Sequence, residues 1–279
     1  MFENGSTVIF TYSGANLFYG WLFKSVQNKK TIKCTCYDQL RYLKAKSTLI
    51  REIETLDSFV NRVTYHIGEK SQSLSRMRLG EVDSTEYMLP KYFYDNQTYL
   101  DMLYSSIQDN LRGNGYYYTL RDNFGALDLR DTVDLRLPLV IGDNSIATDF
   151  EYTRSIEDAY NRIKVAKDDK QSGVRNAYMV QDSAAIAKWG PLTLYEKVSA
   201  DYNEVQLAQL ANLLLKIKNK ETETLKAECI GDTRVMGGSG VKVEIRAANL
   251  NTWAIVSSVT HEFKKTAHTM EMNLIFGRW

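Results

Sequence analysis

Cysteine and proline are both scarce, since the chain has only 3 of each among its 279 residues. An odd number of cysteines argues against a disulfide framework and favours a reducing compartment. No apolar run approaches the roughly eighteen residues that a membrane-spanning helix needs. The first residues lack the positive and apolar regions of a signal peptide. A net charge of +1 gives no global field for nucleic acid or an anionic membrane. We therefore expect a globular protein that contacts no membrane and recognises no nucleic-acid sequence.

Residues of catalytic or metal-binding type occur, but none belongs to a complete motif. His261, Glu262 and His268 do not form a metalloprotease HExxH sequence, because position 265 is Lys. Cys34 and Cys36 share one face of a predicted strand, which is more typical of core residues than of a ligand pair. Cys229 is far away in sequence, whereas a closed structural zinc site uses four ligands.

Three further groups of residues have similarly simple interpretations. The glycine-rich segment 237–240 lacks the residues of a phosphate loop or a nucleophile elbow. Tyr116, Tyr117 and Tyr118, near Arg112 and Arg121, could stack nucleic-acid bases, but strand alternation would divide them between a core face and a surface face. The acidic pairs lie in polar turns, where we expect them to be solvated; they are Asp168 with Asp169 and Glu221 with Glu223. We therefore predict no catalytic, cofactor-binding or metal-binding residue and no enzymatic activity.

Alternation of apolar and polar residues is clearest near the end of the chain. Ile255, Ser257, Val259 and His261 alternate with the residues between them, and Met270, Met272 and Leu274 do the same. A period of two is typical of half-buried strands, and the short polar link at 264–267 predicts a hairpin. We expect Trp253, Val259 and Met272 to be buried and Lys264 and Lys265 to be exposed. The glycines at 237–240 predict a second hairpin, between Asp232–Met236 and Val241–Ile245.

The same order of short motifs occurs at both ends of the chain. Residues 5–37 and residues 238–274 each run from Gly-Ser through Asn-Leu, a tryptophan, Ser-Val and Lys-Lys-Thr to a final alternating strand. This alignment equates Trp21 with Trp253 and Ser25 with Ser258. We interpret it as a diverged internal duplication of a small β-module, and call the two segments the first repeat and the second repeat.

The chain is predicted to have an α+β, β-rich fold in which two β-barrel-like domains flank a small helical domain. The predicted domains are a partial first β-barrel module at 1–45, an α+β middle domain at 46–135, and a second β-barrel-like domain with inserted helices at 136–279. The first module has too few strands to close a barrel. We therefore expect further strands upstream of Met1 or from a partner. The 18 tyrosines, which suit half-buried strands and wet interfaces, indicate extensive protein contacts.

Periodicity and capping residues predict the elements within these domains. The first module should contain strands Thr7–Tyr12, Leu17–Val26 and Thr31–Tyr37. The middle domain should contain a first helix capped by Thr55, with the apolar stripe Ile53, Leu56, Phe59, Val60 and Val63. A second helix should be capped by Thr98 and end just before Gly113, with the apolar stripe Leu100, Leu103, Tyr104, Ile107 and Leu111. A hairpin should follow, with strands at Tyr116–Asp122 and Ala126–Arg130. The last domain should contain the strands Asp149–Thr153, Asn161–Ala166, Val174–Val180, Leu192–Val198 and Thr222–Ile230. It should also contain two helices, a short one capped by Asp182 and a longer one capped by Asn203. The longer helix should turn Leu207, Leu210, Leu214 and Ile217 inward.

Four segments together resemble one known family of proteins. They are Ile32–Leu43, Tyr118–Gly125, Ser155–Val165, and Ser258–Phe263 with His268–Met272. They are similar to segments of the XkdQ-type baseplate hub proteins of contractile phage tails, PBSX-like defective prophages and R-type bacteriocins, with late control gene D proteins as more distant relatives. The resemblance covers nearly the whole chain. The family has a longer N-terminal β region than this chain.

The resemblance implies a structural protein of the virion tail baseplate, assembled in the bacterial cytoplasm. In that family a homotrimeric ring of β-barrel domains connects the six-fold tail tube to the three-fold central spike. The partners would be a tail tube or tube-initiator protein, the spike protein and other baseplate proteins, with no cofactor. Two alternatives stay open at this point: a tail-associated peptidoglycan hydrolase, and a carbohydrate-binding or receptor-binding tail module.

Overall fold

The structure is a computed structural model, and it describes residues 3–69, 77–143, 145–168, 173–200 and 202–276. The prediction of a β-rich α+β fold is confirmed. The strands are β1 (Thr7–Tyr12), β2 (Ala15–Gln27), β3 (Ile32–Tyr37), β4 (Lys46–Arg51), β5 (Glu54–Thr55), β6 (Leu79–Val82), β7 (Met88–Leu89), β8 (Tyr92–Thr98), β9 (Tyr118–Asn123), β10 (Ala126–Asp131), β11 (Arg136–Gly142), β12 (Ala147–Ser155), β13 (Arg162–Asp168), β14 (Arg175–Gln181), β15 (Thr193–Lys197), β16 (Thr222–Ile230), β17 (Gly240–Ile245), β18 (Leu250–Phe263) and β19 (His268–Ile275). The α-helices are α1 (Leu56–Glu69), α2 (Tyr99–Asn114), α3 (Ser183–Trp189) and α4 (Glu204–Lys218), and Gln39–Lys44 and Arg246–Ala248 are 3-10 helices. Among the described residues, no helix has the length and apolar character to cross a membrane.

The chain divides into two compact units. The larger unit contains residues 1–150 and 226–279, and the smaller contains residues 151–225. The boundary falls within β12 and β16, so the smaller unit is inserted between two strands of one sheet. This division does not test the predicted domain boundaries near 45 and 135, which stay a prediction. Closure of either predicted barrel also stays a prediction.

The predicted strands of the first module form a three-stranded antiparallel sheet in the order β1-β2-β3. A two-residue turn joins β1 to β2. Its residues, Ser13 and Gly14, have φ values of 49° and 82°, as the twist of a tight hairpin requires. At the β2–β3 turn, the side-chain amide oxygen of Asn28 accepts hydrogen bonds from the backbone N–H groups of Lys30 and Thr31. Local turn chemistry therefore accounts for this sheet.

The main core of the larger unit lies between α1, α2 and the β9–β10 hairpin. Leu56, Phe59, Val60 and Val63 of α1 are fully buried, as predicted, but Ile53 precedes the helix and is 66% exposed. Thr98 caps α2 as predicted, by accepting a hydrogen bond from the Asp101 N–H. The buried stripe of α2 differs from the predicted one by about a residue; it consists of Tyr99, Met102, Leu103, Ser106, Ile107 and Asn110.

The end of α2 differs from the prediction, and the helix also contacts a buried arginine that was not predicted. Gly115, not Gly113, terminates the helix in the left-handed conformation. The side chain of Arg51, which is fully buried, contacts α2 at Ser106, a polar member of the stripe, and at the neighbouring Asp109. The guanidinium of Arg51 donates to the Ser106 hydroxyl at 2.7 Å and to the Asp109 carboxylate at 2.8 Å. The helix therefore turns a partly polar face to the core, because a buried charge must be paired there.

A six-stranded sheet in the order β11-β17-β18-β19-β16-β12 holds the end of the chain. The predicted β18–β19 hairpin is confirmed, with Lys264 and Lys265 exposed. The predicted hairpin between residues 232–236 and β17 is wrong. Residues 232–239 form consecutive turns instead of a strand, and β17 pairs with β18 on one side and in parallel with β11 on the other.

The alternation predicted for β18 is only partly correct. Ala254, Ile255 and Val256 are all buried, and a register shift follows between Val256 and Ser258. Met272 is fully buried, whereas Trp253 and Val259 are half-buried. In β19, the buried residues Met270, Met272 and Leu274 are as predicted.

The smaller unit packs the sheet β14-β13-β15 against α4. Its strands and both of its helices lie within two residues of their predicted bounds. Asp182 caps α3, and Asn203 forms a complete capping box with Gln206 at the start of α4. Ile163, Val165, Leu207 and Ala211 form its buried core, and Leu210 and Leu214 are partly buried against them. Ile217 is half-buried.

Candidate assembly surface

Both repeats begin with the same backbone irregularity. Gly5 and Gly238 have φ values of 91° and 85°, a conformation that glycine adopts at no steric cost. The Gly5 N–H donates to the Leu22 carbonyl at 2.7 Å, and the Leu22 N–H donates to the Ser6 carbonyl at 2.9 Å. Gly238, Ser239 and Val256 make the same two hydrogen bonds, both at 2.8 Å. Each repeat therefore starts at a glycine β-bulge that fixes the register of its first two strands.

The strand pairing that follows is also equivalent. In the first repeat Thr7 pairs with Trp21, and in the second repeat Gly240 pairs with Ile255. A second register shift follows Leu22 in the first repeat and Val256 in the second, at corresponding positions. The pairing equates Trp21 with Ile255 and Ser25 with Val259, so the sequence alignment was wrong by two residues at the tryptophans and by one at the serines. The order of strands and turns nevertheless agrees with an internal duplication.

The two repeats differ strongly in burial. In the second repeat Val241, Val243 and Ile245 of β17 are fully buried. The corresponding residues of β1 are less covered, since Phe10 is 38% exposed and Val8 and Tyr12 are half-buried. Strands β11 and β16 flank the second repeat, whereas no strand flanks β1 or β3 among the residues that the structure describes. The first repeat therefore offers two open strand edges.

The two repeats meet through aromatic side chains. The rings of Phe10 and Tyr12 lie 4.9 Å and 4.8 Å from the ring of Phe263, at the end of β18. Beside these contacts is a cleft of about 200 Å³. Its lining comes from four separate parts of the chain and consists of Phe10, Asn16, Leu17, Phe18, Asn123, Phe124, Thr233, Val235, Met236, His261 and Phe263. Sequence reasoning missed this cleft, because no local pattern relates segments so far apart.

The two histidines considered as metal ligands contact each other. His261 Nδ1 lies 2.9 Å from His268 Nε2, and His261 Nε2 lies 2.9 Å from the Val235 carbonyl oxygen. Because the carbonyl only accepts, His261 donates from Nε2 to Val235, while its Nδ1 lies within hydrogen-bond distance of His268 Nε2. Burial lowers the pKa of His268, as does its neighbour His261, while Asp232 opposes them. The pair is therefore a hydrogen-bonded link between the turn at 232–239 and the β18–β19 hairpin.

The three cysteines differ in their exposure to solvent. Cys34 is exposed, Cys36 is half-buried and Cys229 is buried, where burial raises the pKa of its thiol to about 11. A thiol with a raised pKa is a poor nucleophile and a poor ligand. Within the described part of the chain, no group of three or more His, Cys, Asp or Glu residues is placed to hold a metal ion.

The three tyrosines are divided between core and surface. Tyr118 is buried and Tyr116 is 57% exposed, while Tyr117 is half-buried. Burial raises the pKa of Tyr118 to about 12. Neither arginine joins an exposed tyrosine platform: Arg112 lies 3.4 Å from Asp109, and Arg121 has a buried Nε.

The acidic pairs take part in surface ion pairs of the smaller unit. Asp168 contacts Arg175 at 2.6 Å and Lys197 at 2.5 Å, which lowers the pKa of its carboxyl to about 2. Glu221 and Glu223 both pair with Arg154. Asp169 lies outside the described residues. These contacts are ordinary surface salt bridges, which contribute little to stability and form no convergent acid pair.

Comparison with known proteins agrees with the fold. The YQBQ-like family model matches residues 1–275 of the chain. The chain belongs to the YQBQ-like family. Among curated relatives, the phage-like element PBSX protein XkdQ of Bacillus subtilis (strain 168) is 27% identical over 276 residues, which are 98% of this chain and 82% of that protein.

Solved structures show that members of this fold occur in phage tails. The prophage MuSo2 43 kDa tail protein from Shewanella oneidensis is 12% identical, with a TM-score of 0.65 over 98% of this chain and 83% of that one. The tail protein from Neisseria meningitidis MC58 is 12% identical, with a TM-score of 0.64 over 98% of this chain and 84% of that one. This YQBQ-like protein is therefore similar to structural proteins of phage tails.

Proposed function

We propose that this chain is the baseplate hub of a contractile phage tail or a phage-tail-like particle, where it adapts the six-fold tail tube to the three-fold central spike. The similarity to the PBSX protein XkdQ and to prophage tail proteins supports a place in a tail. The observation that carries the hub assignment is the internal repeat, with its matching glycine bulges and strand registers.

The repeat supplies the symmetry that an adaptor needs. A closed homotrimer of a chain with two similar modules presents six similar modules in a ring, while the rest of the chain remains three-fold. Neighbouring copies in such a ring make heterologous contacts, with the first repeat of one copy against the second repeat of the next. The open β3 edge of the first repeat favours this arrangement, because exposed strand edges are normally covered.

A structural role without catalysis agrees with the chemistry of the side chains. Several polar groups make pairs that link elements of the fold, as in the His261–His268 contact and the Arg51–Asp109 ion pair. The cleft between the repeats is lined mainly by aromatic and aliphatic side chains, without a convergent nucleophile and base. The partners would be the tail tube or tube-initiator protein, the spike protein and other baseplate proteins, and the location would be the virion tail baseplate.

Reconstruction of an intact tail tip that contains this chain tests the proposal. We expect three copies between tube and spike, with first and second repeats alternating around the ring that faces the tube. One copy or six copies per tail, or a position on a tail fibre, would contradict it. A cell-wall zymogram with the purified chain tests the absence of catalysis, and clear lysis would support a peptidoglycan hydrolase instead.

A further inference from the structure

The outer edge of the first strand is occupied in one repeat and open in the other. In the second repeat, β11 pairs in parallel with β17. The Gly240 N–H donates to the Leu135 carbonyl at 2.9 Å, and the Asp143 N–H donates to the Glu244 carbonyl at 3.0 Å. No strand lies against the corresponding edge of β1 within the ranges that the structure describes.

The backbone of β1 shows which groups this open edge presents. The bulge pairs Ser6 with Leu22, and in an antiparallel ladder every second residue exchanges hydrogen bonds with the partner strand. Val8 therefore bonds to Gly20, while the N–H and carbonyl groups of Thr7 and Ile9 point away from β2. The residues equivalent to Thr7 and Ile9 are Gly240 and Lys242, which face β11.

The side chains of β1 leave this edge open to pairing. Natural edge strands are often protected by proline, lysine or an inward-pointing charge. The sequence of β1, Thr-Val-Ile-Phe-Thr-Tyr, contains none of these and is rich in residues that favour strands. Ile9 is 57% exposed and Phe10 is 38% exposed. The edge therefore combines unpaired backbone groups with apolar side chains that a further strand would cover.

We propose that β1 is an acceptor edge that binds one extended strand of a partner chain, parallel to β1 and in the register that β11 adopts on β17. Main-chain hydrogen bonds to Thr7 and Ile9 provide the binding, as in other cases of strand addition. The partner strand carries an apolar residue beside Phe10, at the position that Ile141 occupies beside Val243. This inference deepens the proposed assembly role by defining the chemistry of one partner segment, but it depends on the internal repeat alone.

A peptide from the chain itself serves as the probe. Residues 134–143, which contain β11, are synthesised with a fluorophore and titrated into the full chain, and binding is followed by fluorescence anisotropy and hydrogen exchange. We expect saturable binding and new protection of the Thr7 and Ile9 amides. Ile9→Pro removes an outward N–H without disturbing the β1–β2 hydrogen bonds, so this variant should keep its fold and bind the peptide at least tenfold more weakly.

The matched control lies on the other edge of the same sheet. The Asn28 N–H donates to the Thr31 carbonyl, and alternation from this pair makes the backbone of Cys34 point away from β2. Cys34→Pro should therefore bind the peptide as the unmodified chain does. Absence of saturable binding, or equal binding by Ile9→Pro, would overturn the acceptor edge. Self-association of the chain that Ile9→Pro abolishes would overturn the choice of a separate partner in favour of a second copy. None of these results bears on the number of copies in a tail tip, which tests the hub assignment.

Discussion

The first and second repeats have the same strand order and the same bulges, but they differ in what surrounds them. The second repeat lies inside a six-stranded sheet, with β11 on one edge and β16 on the other. The first repeat is a separate three-stranded sheet, and its strands are largely exposed or half-buried. Two segments with equivalent backbone pairing thus have different amounts of core.

This difference separates local from tertiary contributions to one motif. The bulge glycines and the strand pairing recur in both repeats, so they depend on features within the motif itself. Burial recurs only in the central strand, where Trp21 and Leu22 are buried like their equivalents Ile255 and Val256. The outer strands β1 and β3 are not buried, because only the second repeat has flanking strands among the described residues. Equivalent positions should therefore tolerate the same substitution very differently, which the following changes test.

The largest difference in stability is expected when an acidic residue replaces Met272 in the second repeat or Cys34 at the equivalent position of the first repeat. Met272 pairs with Val259 and is fully buried, whereas Cys34 pairs with the equivalent Ser25 and is exposed. Met272→Asp places an unpaired charge in the core and should lower the free energy of unfolding by several kcal/mol, so that the larger unit unfolds. Cys34→Asp should change it by about 0.5 kcal/mol or less. Thermal and urea unfolding measure both, and similar losses would show that the register is wrong.

A smaller difference is expected at the two bulge glycines. Both have positive φ values, so alanine at either position should cost about 1–2 kcal/mol through backbone strain. A Cβ atom at Gly238 would also lie 2.5 Å from the side chain of Thr119, so Gly238→Ala should cost more than Gly5→Ala. Urea unfolding of the two variants checks the order. Gly238→Ala with Thr119→Ser, which removes the contacting methyl group, should recover part of the additional loss.

The stability of the second repeat should depend on pH through His268, which is the first residue of β19. Its pKa is lowered in the folded chain, by burial first and by His261 second, so the unfolded state binds a proton more readily. The stabilisation is therefore fully present above the unfolded pKa of about 6.5 and is lost as the pH falls toward the lower folded pKa. His268→Gln should weaken the pH dependence of unfolding below pH 6.5. An unchanged profile would contradict this assignment.

The smallest effect concerns single amides and leaves global stability unchanged. The Gly240 N–H is hydrogen-bonded to Leu135, whereas the equivalent Thr7 N–H faces the open edge of β1. Hydrogen exchange of the isolated chain should protect Gly240 strongly and Thr7 weakly. Equal protection of the two amides would show that another segment already covers β1 in the isolated chain.

Local patterns predicted most elements and failed where the fold depends on distant contacts. The caps Thr98, Asp182 and Asn203 were predicted correctly, because a cap involves only neighbouring residues. The hairpin at 232–245 was wrong because β17 pairs with β11, which is about a hundred residues earlier in the chain. The inward face of α2 was misplaced because it includes the polar residue Ser106, whose partner Arg51 comes from the distant strand β4.

The sequence by itself determined the β-rich class, the duplicated order of motifs and most turns, since periodicity, glycine and capping residues act within a few residues of each other. Only the tertiary structure decided the true register of the repeats, the His261–His268 contact and the cleft between the repeats. It also decided which strand edges are covered. These features depend on contacts between distant segments, and the energy of such contacts leaves no periodic pattern in a single sequence.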